Sequence, residues 1–177
     1  MEQRIIISGF GGQGVQSIGQ MITYAGMLEG HNVSLLPSYG PEMRGGTTSC
    51  MVILSDEPIG APIIDEATCC MVLNPPSFTK YEPAVEKGGC LFVNSSLVDA
   101  KTSREDIKAY YIPCNEMALE LGNARVGNMI MLGAFMKLTG CISMDNVLAA
   151  LRKVLGAKKE NLVEVNRKAL ELGMTLA

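Results

Sequence analysis

The sequence predicts an open α/β sheet with helices packed on it and a wholly helical C-terminal part. Three observations carry that expectation. Ile5-Ile6-Ile7 is an uninterrupted β-branched run, as a parallel strand buried on both faces requires. Short apolar runs then alternate with helically spaced ones as far as Cys114, the pattern of strands separated by crossover helices. From Asn115 onward only helical spacing remains. The 177 residues are therefore read as one domain, with the sheet part in 1–114 and a helical part, 115–177, packed on it.

The elements follow in order. Arg4 to Ser8 forms the first strand, and Val15, Ile18, Ile22 and Ala25 line one face of the helix that follows, ended by Gly30. Val33 to Leu36 is a second short strand. Pro37 to Gly46 is a glycine- and proline-rich loop, and Thr47 to Leu54 a third strand turning at Asp56-Glu57-Pro58. Cys69 to Leu73, Leu91 to Val93 after Gly88-Gly89, and Tyr110 to Pro113 supply three more strands, with a helix around Ser77 to Lys87. Val126 to Leu138 is apolar nearly all round, as in a central helix. Ser143 is a good N-cap for a helix with Val147, Leu148, Leu151, Val154 and Leu155 on one face, stopped at Gly156. Leu162, Val165, Ala169 and Leu172 mark the last helix.

The segment Gly9-Phe10-Gly11-Gly12-Gln13-Gly14 sits where the first strand turns into the first helix. A tight turn there leaves amides bare at the positive end of a helix, which favours a phosphate or another anion; a turn that needs glycine only for steric reasons is the rival reading. The second stretch of interest is Ser38 to Thr48. In an open, mostly parallel, Rossmann-like sheet it leaves the carboxyl end of the second strand, on the same edge as the glycine loop. It gathers Tyr39, Gly40, Glu42, Arg44, Gly45 and Gly46, and Arg44 suits bidentate contact with a phosphate or carboxylate. The competing reading is a Glu42–Arg44 pair that only orders the loop. A standard nicotinamide site needs an acidic residue at the end of the second strand, where this chain has Leu35-Leu36-Pro37-Ser38.

Composition narrows the function classes. Charged residues are 19% of the chain and apolar ones 47%; the first figure is below the roughly 25% usual for soluble domains, so a partner is expected to cover part of the surface. A net charge of −3 without a basic cluster argues against nucleic acid. No apolar run reaches the ~20 residues a membrane helix needs, and Met1 to Arg4 leads at once into a strand, leaving no room for a signal peptide, so a cytoplasmic location is expected. Cys50, Cys69, Cys70, Cys90, Cys114 and Cys141 contain no C-x-x-C pair and read as buried hydrophobes rather than cluster ligands. His31, the single histidine, follows Gly30 and reads as a helix-end cap. No catalytic constellation is visible.

Ile7 to Gly14 and Tyr39 to Gly46, followed by Val72-Leu73-Asn74 and Asn128 to Ala134, resemble the gamma subunit of 2-oxoacid:ferredoxin oxidoreductases over nearly the whole chain. The resemblance implies a subunit of an enzyme that decarboxylates a 2-oxoacid, 2-oxoglutarate being favoured, to an acyl-CoA while two electrons pass to ferredoxin. It implies coenzyme A as a co-substrate, with thiamine diphosphate, Mg and 4Fe-4S clusters on partner subunits of the alpha, beta and delta types. Gly9, Gly11, Gly12, Gln13 and Gly14 would take a CoA phosphate. Tyr39, Gly40, Glu42, Arg44, Gly45 and Gly46 would face the partner near the thiamine site, and Asn74 would end a strand on the same edge. The isolated chain is then expected to have no turnover, and its exposed apolar surface leaves room for a homodimer. The alternatives are a free-standing dinucleotide-binding reductase and a pure assembly scaffold.

Overall fold

The computed structural model describes residues 1–41, 46–156 and 159–176. A six-stranded sheet has the order β2-β3-β1-β4-β5-β6. The strands are β1 (Glu2–Phe10), β2 (Asn32–Tyr39), β3 (Thr47–Ser55), β4 (Ala67–Val72), β5 (Val85–Asn94) and β6 (Lys108–Ile112). β1, β4, β5 and β6 are parallel neighbours, while β3 runs antiparallel to both β1 and β2. Five strands therefore share one direction, and their carboxyl ends form one edge.

The central strand shows why the sequence folds this way. Ile5 pairs with Val52 and Cys69, and Ile6 with Met51 and Cys70. Ile5, Ile6 and Ile7 are all buried, each contributing about 1.5–3 kcal/mol by leaving water. Strand alternation sends Ile5 and Ile7 to one face and Ile6 to the other. Cys69 and Cys70 separate likewise, into two different cores. All six cysteines are free thiols, and five are buried.

The larger core lies under α1 (Val15–Leu28), α4 (Gly127–Thr139), α5 (Met144–Leu155) and α6 (Glu160–Met174). In α4 the eight residues from Met129 to Met136 are all buried, which explains its near-uniform apolarity. α4 and α6 pack with backbones in close approach: a Cβ at Gly133 would meet the Leu170 carbonyl, and one at Gly173 the Ile130 carbonyl. Ser143 caps α5 by accepting from Asn146 N at 3.3 Å, as its sequence position predicts. Glu29, at the end of α1, accepts from Ser143 N at 2.7 Å and Asn146 Nδ2 at 2.8 Å, tying the two helices together. His31 sits at the end of α1, where its N donates to Gly26 O at 3.0 Å, while its side chain contacts Asp56 Oδ1 through Nδ1 at 3.0 Å, beyond the β3 terminus.

The opposite face is covered more thinly, by α2 (Pro75–Tyr81), a 3₁₀ turn at Glu82–Ala84 and irregular chain around Ile64 and Val98. The helix expected to reach Lys87 stops at Tyr81. Pro83 lacks the amide a continuing helix needs, and Val85 is drawn into β5, where it is buried beside Ala67. β5 thus runs through Gly88-Gly89 rather than starting after them.

Candidate functional site

β1 ends at Phe10, and the loop after it is shaped by its own glutamine. Gln13 Oε1 accepts from Phe10 N at 2.6 Å, and Gln13 Nε2 donates to Leu73 O at 3.0 Å, bracing the ends of β1 and β4. Gly9 lies beneath this side chain; a Cβ there would stand 2.6 Å from Gln13 Oε1 and 2.8 Å from Leu73 Cβ. Gly12 and Gly14 have φ of +91° and +80°, a region that side chains disfavour. Gly14 also packs against the Asn128 amide, leaving no space for a Cβ.

Two of the loop amides expected to be bare are occupied. Gly11 N donates to Gly46 O at 3.0 Å, and Gln13 N to Phe10 O at 3.2 Å. The first turn of α1 is different. Its first intrahelical donor is Ile18 N, bonded to Gly14 O at 3.0 Å, so the amides of Val15, Gln16 and Ser17 point out of the helix end. The amides this junction leaves open are therefore those of the helix start, not those of Gly11 and Gln13.

A cavity of about 510 Å³ opens at this point. Gly12, Gln13, Gly14 and Ser17 form one wall, and Leu73 and Asn94 close it at the ends of β4 and β5. The other wall comes from α3 (Cys114–Glu120) and the start of α4, through Cys114, Asn115, Leu119, Arg125, Gly127 and Asn128. Asn94, buried at the strand end, accepts from Ser96 N and Cys114 N at 3.2 and 3.3 Å and donates to Asn115 Oδ1 at 3.2 Å, which joins β5 to α3. Arg125 is exposed and forms no ion pair among the described residues. Among the described residues no carboxylate lines the cavity. Burial pushes the Cys114 thiol up to about 12, so it is a neutral wall atom rather than a nucleophile.

The structure distributes the sequence-predicted residues unevenly. Gly12, Gln13 and Gly14 line the cavity; Tyr39, Gly40 and Gly46 do not. They lie on the same sheet edge, over the β2–β3 hairpin, where Gly40 N donates to Thr47 O at 2.9 Å and Tyr39 is 72% exposed. The predicted Glu42, Arg44 and Gly45 fall outside the described residues. Asn74 turns away because strand alternation points Leu73 at the cavity and Asn74 at α2. It caps that helix by accepting from Ser77 N at 2.9 Å, and its Nδ2 has no partner among the described residues. Ser17, Asn94, Asn115 and Arg125 were not singled out from sequence. Asn94 was legible by the rule that flagged Asn74, since it too follows an apolar strand.

The expected absence of a nicotinamide acid acquires a topological reason. β1 is flanked by antiparallel β3 and by β4, so β2 does not adjoin it. Among the described residues no group of three or more histidine, cysteine or acidic side chains is placed to hold a metal ion. No helix among them is long and apolar enough to cross a membrane.

The pyruvate ferredoxin/flavodoxin oxidoreductase family profile matches residues 4–176. The chain belongs to this family. The ketoisovalerate oxidoreductase subunit VorA of Methanothermobacter marburgensis is 37% identical over 174 residues, covering 97% of this chain but 36% of that protein. The 2-oxoglutarate synthase subunit KorC of Methanocaldococcus jannaschii is 32% identical over 172 residues, covering 94% of this chain and 92% of that protein. The chain thus spans about a third of one relative and nearly all of the other. Among solved structures, the gamma subunit of a keto/oxoacid ferredoxin oxidoreductase from Geobacter sulfurreducens superposes with a TM-score of 0.85 at 29% identity, covering 99% of this chain and 96% of that one. A 2-oxoglutarate:ferredoxin oxidoreductase from Magnetococcus marinus, with 2-oxoglutarate, coenzyme A and succinyl-CoA bound, matches with a TM-score of 0.90 at 26% identity, over 99% of this chain and 31% of that one. The family fold and the resemblance to a gamma subunit are both borne out.

Proposed function

We propose that this chain is the gamma-type subunit of a 2-oxoacid:ferredoxin oxidoreductase and that it binds coenzyme A while partner subunits carry the redox chemistry. The carrying observation is the cavity itself: among the described residues, open amides at the start of α1 and one cation, with no carboxylate, converge at the carboxyl edge of the sheet. That combination favours a phosphate-bearing ligand. The coenzyme A bound in the Magnetococcus complex supports the same ligand.

The reaction is oxidative decarboxylation of a 2-oxoacid to an acyl-CoA, with electrons delivered to ferredoxin. Thiamine diphosphate, Mg and 4Fe-4S clusters sit on alpha, beta and delta-type partners in this reading. Relatives of about this chain's own length include 2-oxoglutarate synthase, indolepyruvate oxidoreductase and pyruvate/ketoisovalerate oxidoreductase subunits. Of these the 2-oxoglutarate synthase subunit is the more similar, at 32% identity against 25% and 27%, which favours 2-oxoglutarate as substrate. Six free thiols suit a reducing, cytoplasmic setting. In this reading Tyr39, Gly40, Glu42, Arg44, Gly45 and Gly46 serve the contact with the partner and guide the thiol toward the thiamine site.

Reconstitution tests the assignment. Viologen reduction by 2-oxoglutarate and coenzyme A is expected only when this chain and its partners are combined. Turnover by the chain alone, or full coenzyme A-dependent turnover by the partners without it, refutes the division of labour. In the assembled complex, Arg44→Ala is expected to weaken coenzyme A use; unchanged affinity and turnover would remove that loop from the site.

A further inference from the structure

Resting on the reading in which the open amides of α1 serve coenzyme A and Tyr39, Gly40 and Gly46 serve the partner, we propose that Gln16 is the positioning residue that keeps those two contacts in register. The glycine loop creates the need for one. Gly14 occupies the N-cap of α1 and has no side chain to hold the helix start. Gln16, partly buried in the first turn, supplies the missing tie. Its Nε2 donates to Thr48 Oγ1 at 2.9 Å and to Ser49 O at 2.9 Å, which uses both amide hydrogens. The Ser49 carbonyl also sets the orientation of the amide, because the opposite flip would bring two acceptor oxygens together.

The far end of this chain is the hairpin. Thr48 Oγ1 gives its single proton to Ser38 O at 3.1 Å, so the donor order runs one way, from Gln16 through Thr48 to Ser38. Bonds chained in this manner strengthen one another. Ser38 precedes Tyr39, and Thr48 follows Thr47, whose carbonyl accepts from Gly40 N at 2.9 Å. One side chain of α1 thereby holds the bases of both hairpin strands. Thr48 is itself held from the opposite face of the sheet, where Ser8 Oγ donates to its carbonyl at 3.3 Å and lies 2.7 Å from Ser77 Oγ. Both serines are fully buried. The Cys50 thiol reaches Val15 O only at 3.7 Å, a much weaker hold on the same turn of α1.

The test uses the complete, assembled oxidoreductase. Gln16→Leu keeps the bulk and removes the donor, so fewer molecules hold the helix start in its binding position and the apparent affinity falls with that fraction. The expected result is a KM for coenzyme A raised about five- to tenfold, with kcat and the KM for the 2-oxoacid within about twofold of wild type. Loss of folded complex would lower kcat and move neither KM, which separates positioning from instability. Thr48→Val is expected to act in the same direction, and Thr48→Ser, which keeps the hydroxyl, to retain most of the affinity that valine loses. Gln16→Leu combined with Thr48→Val is expected to be no worse than the more damaging single change, because both break one chain. A KM for coenzyme A unmoved by Gln16→Leu, or fully additive effects in the double variant, overturns the inference. Hydrogen exchange on the wild-type complex checks the underlying reading separately. Coenzyme A slowing exchange at residues 15–17 while Gln16→Leu leaves the KM unmoved removes the positioning role alone. No slowing removes the coenzyme A reading, and the role of Gln16 with it.

Discussion

Replacing Gly133 with alanine tests the packing that holds the α4 wall of the cavity in place. The added Cβ would meet the Leu170 carbonyl, with its carbon 2.9 Å away and the Leu170 Cα 3.0 Å away. Carbon atoms in comfortable contact stand about 3.5–4.0 Å apart. The obstacle is helix backbone, so no rotamer change relieves it; α4 and α6 must separate. Overpacking of this sort costs about 1–3 kcal/mol, and an unyielding neighbour places it near the upper figure. Alanine returns about 1 kcal/mol of helix propensity. The net loss is about 2 kcal/mol, which lowers Tm by about 4–8 °C for a chain of this size. Thermal unfolding followed by circular dichroism reads it directly. Gly60→Ala is the control, because a Cβ there meets nothing within 4 Å. A Gly133→Ala protein that melts with the wild type refutes the close helix approach.

Gln13→Ala removes both braces of the glycine loop, at Phe10 N and Leu73 O, and is expected to cost about 1–3 kcal/mol in urea unfolding; no loss would mean the loop holds its shape by other means. Alkaline pH should destabilise the fold through its thiols. Burial raises Cys50, Cys70 and Cys114 from an ordinary 9.0 to about 12, so this stability is complete below the unfolded value and is lost as pH climbs from 9 toward 12. Each thiol contributes a slope of about 1.4 kcal/mol per pH unit in that window. Urea midpoints flat across it would refute their burial. Glu29 predicts the opposite edge. Hydrogen bonds from Ser143 and then Asn146 hold its carboxyl below the ordinary 4.5, so its contribution exists above that value and disappears as pH falls through the lowered one. The stability difference between wild type and Glu29→Gln should close on acidification; a constant difference would show that the carboxylate is not engaged.

The parts of the fold read well from sequence were those governed by local pattern. Ile5 to Ile7, the α1 face and the Ser143 cap each follow from periodicity or capping chemistry within one short segment. Topology was less legible. Nothing in Thr47 to Leu54 states that β3 runs backwards and inserts between β1 and β2, because strand direction is set by pairing across the sheet. The site was half legible for the same reason. Glycines at a strand–helix junction announce themselves, whereas Arg125 and Asn115 sit in helical sequence of ordinary appearance. They reach the cavity only because α3 and α4 fold back over the strand ends. Gln13 looked like a ligand-loop residue, but its side chain bonds are all internal.

That internal bonding by Gln13 has a bearing on binding itself. A turn already held by two hydrogen bonds of its own side chain has lost its freedom during folding, so an arriving anion has little left to immobilise there. Under the proposed coenzyme A reading, capture at this end of the site is close to rigid docking, and the entropy of ordering falls on the flexible tail of the carrier instead.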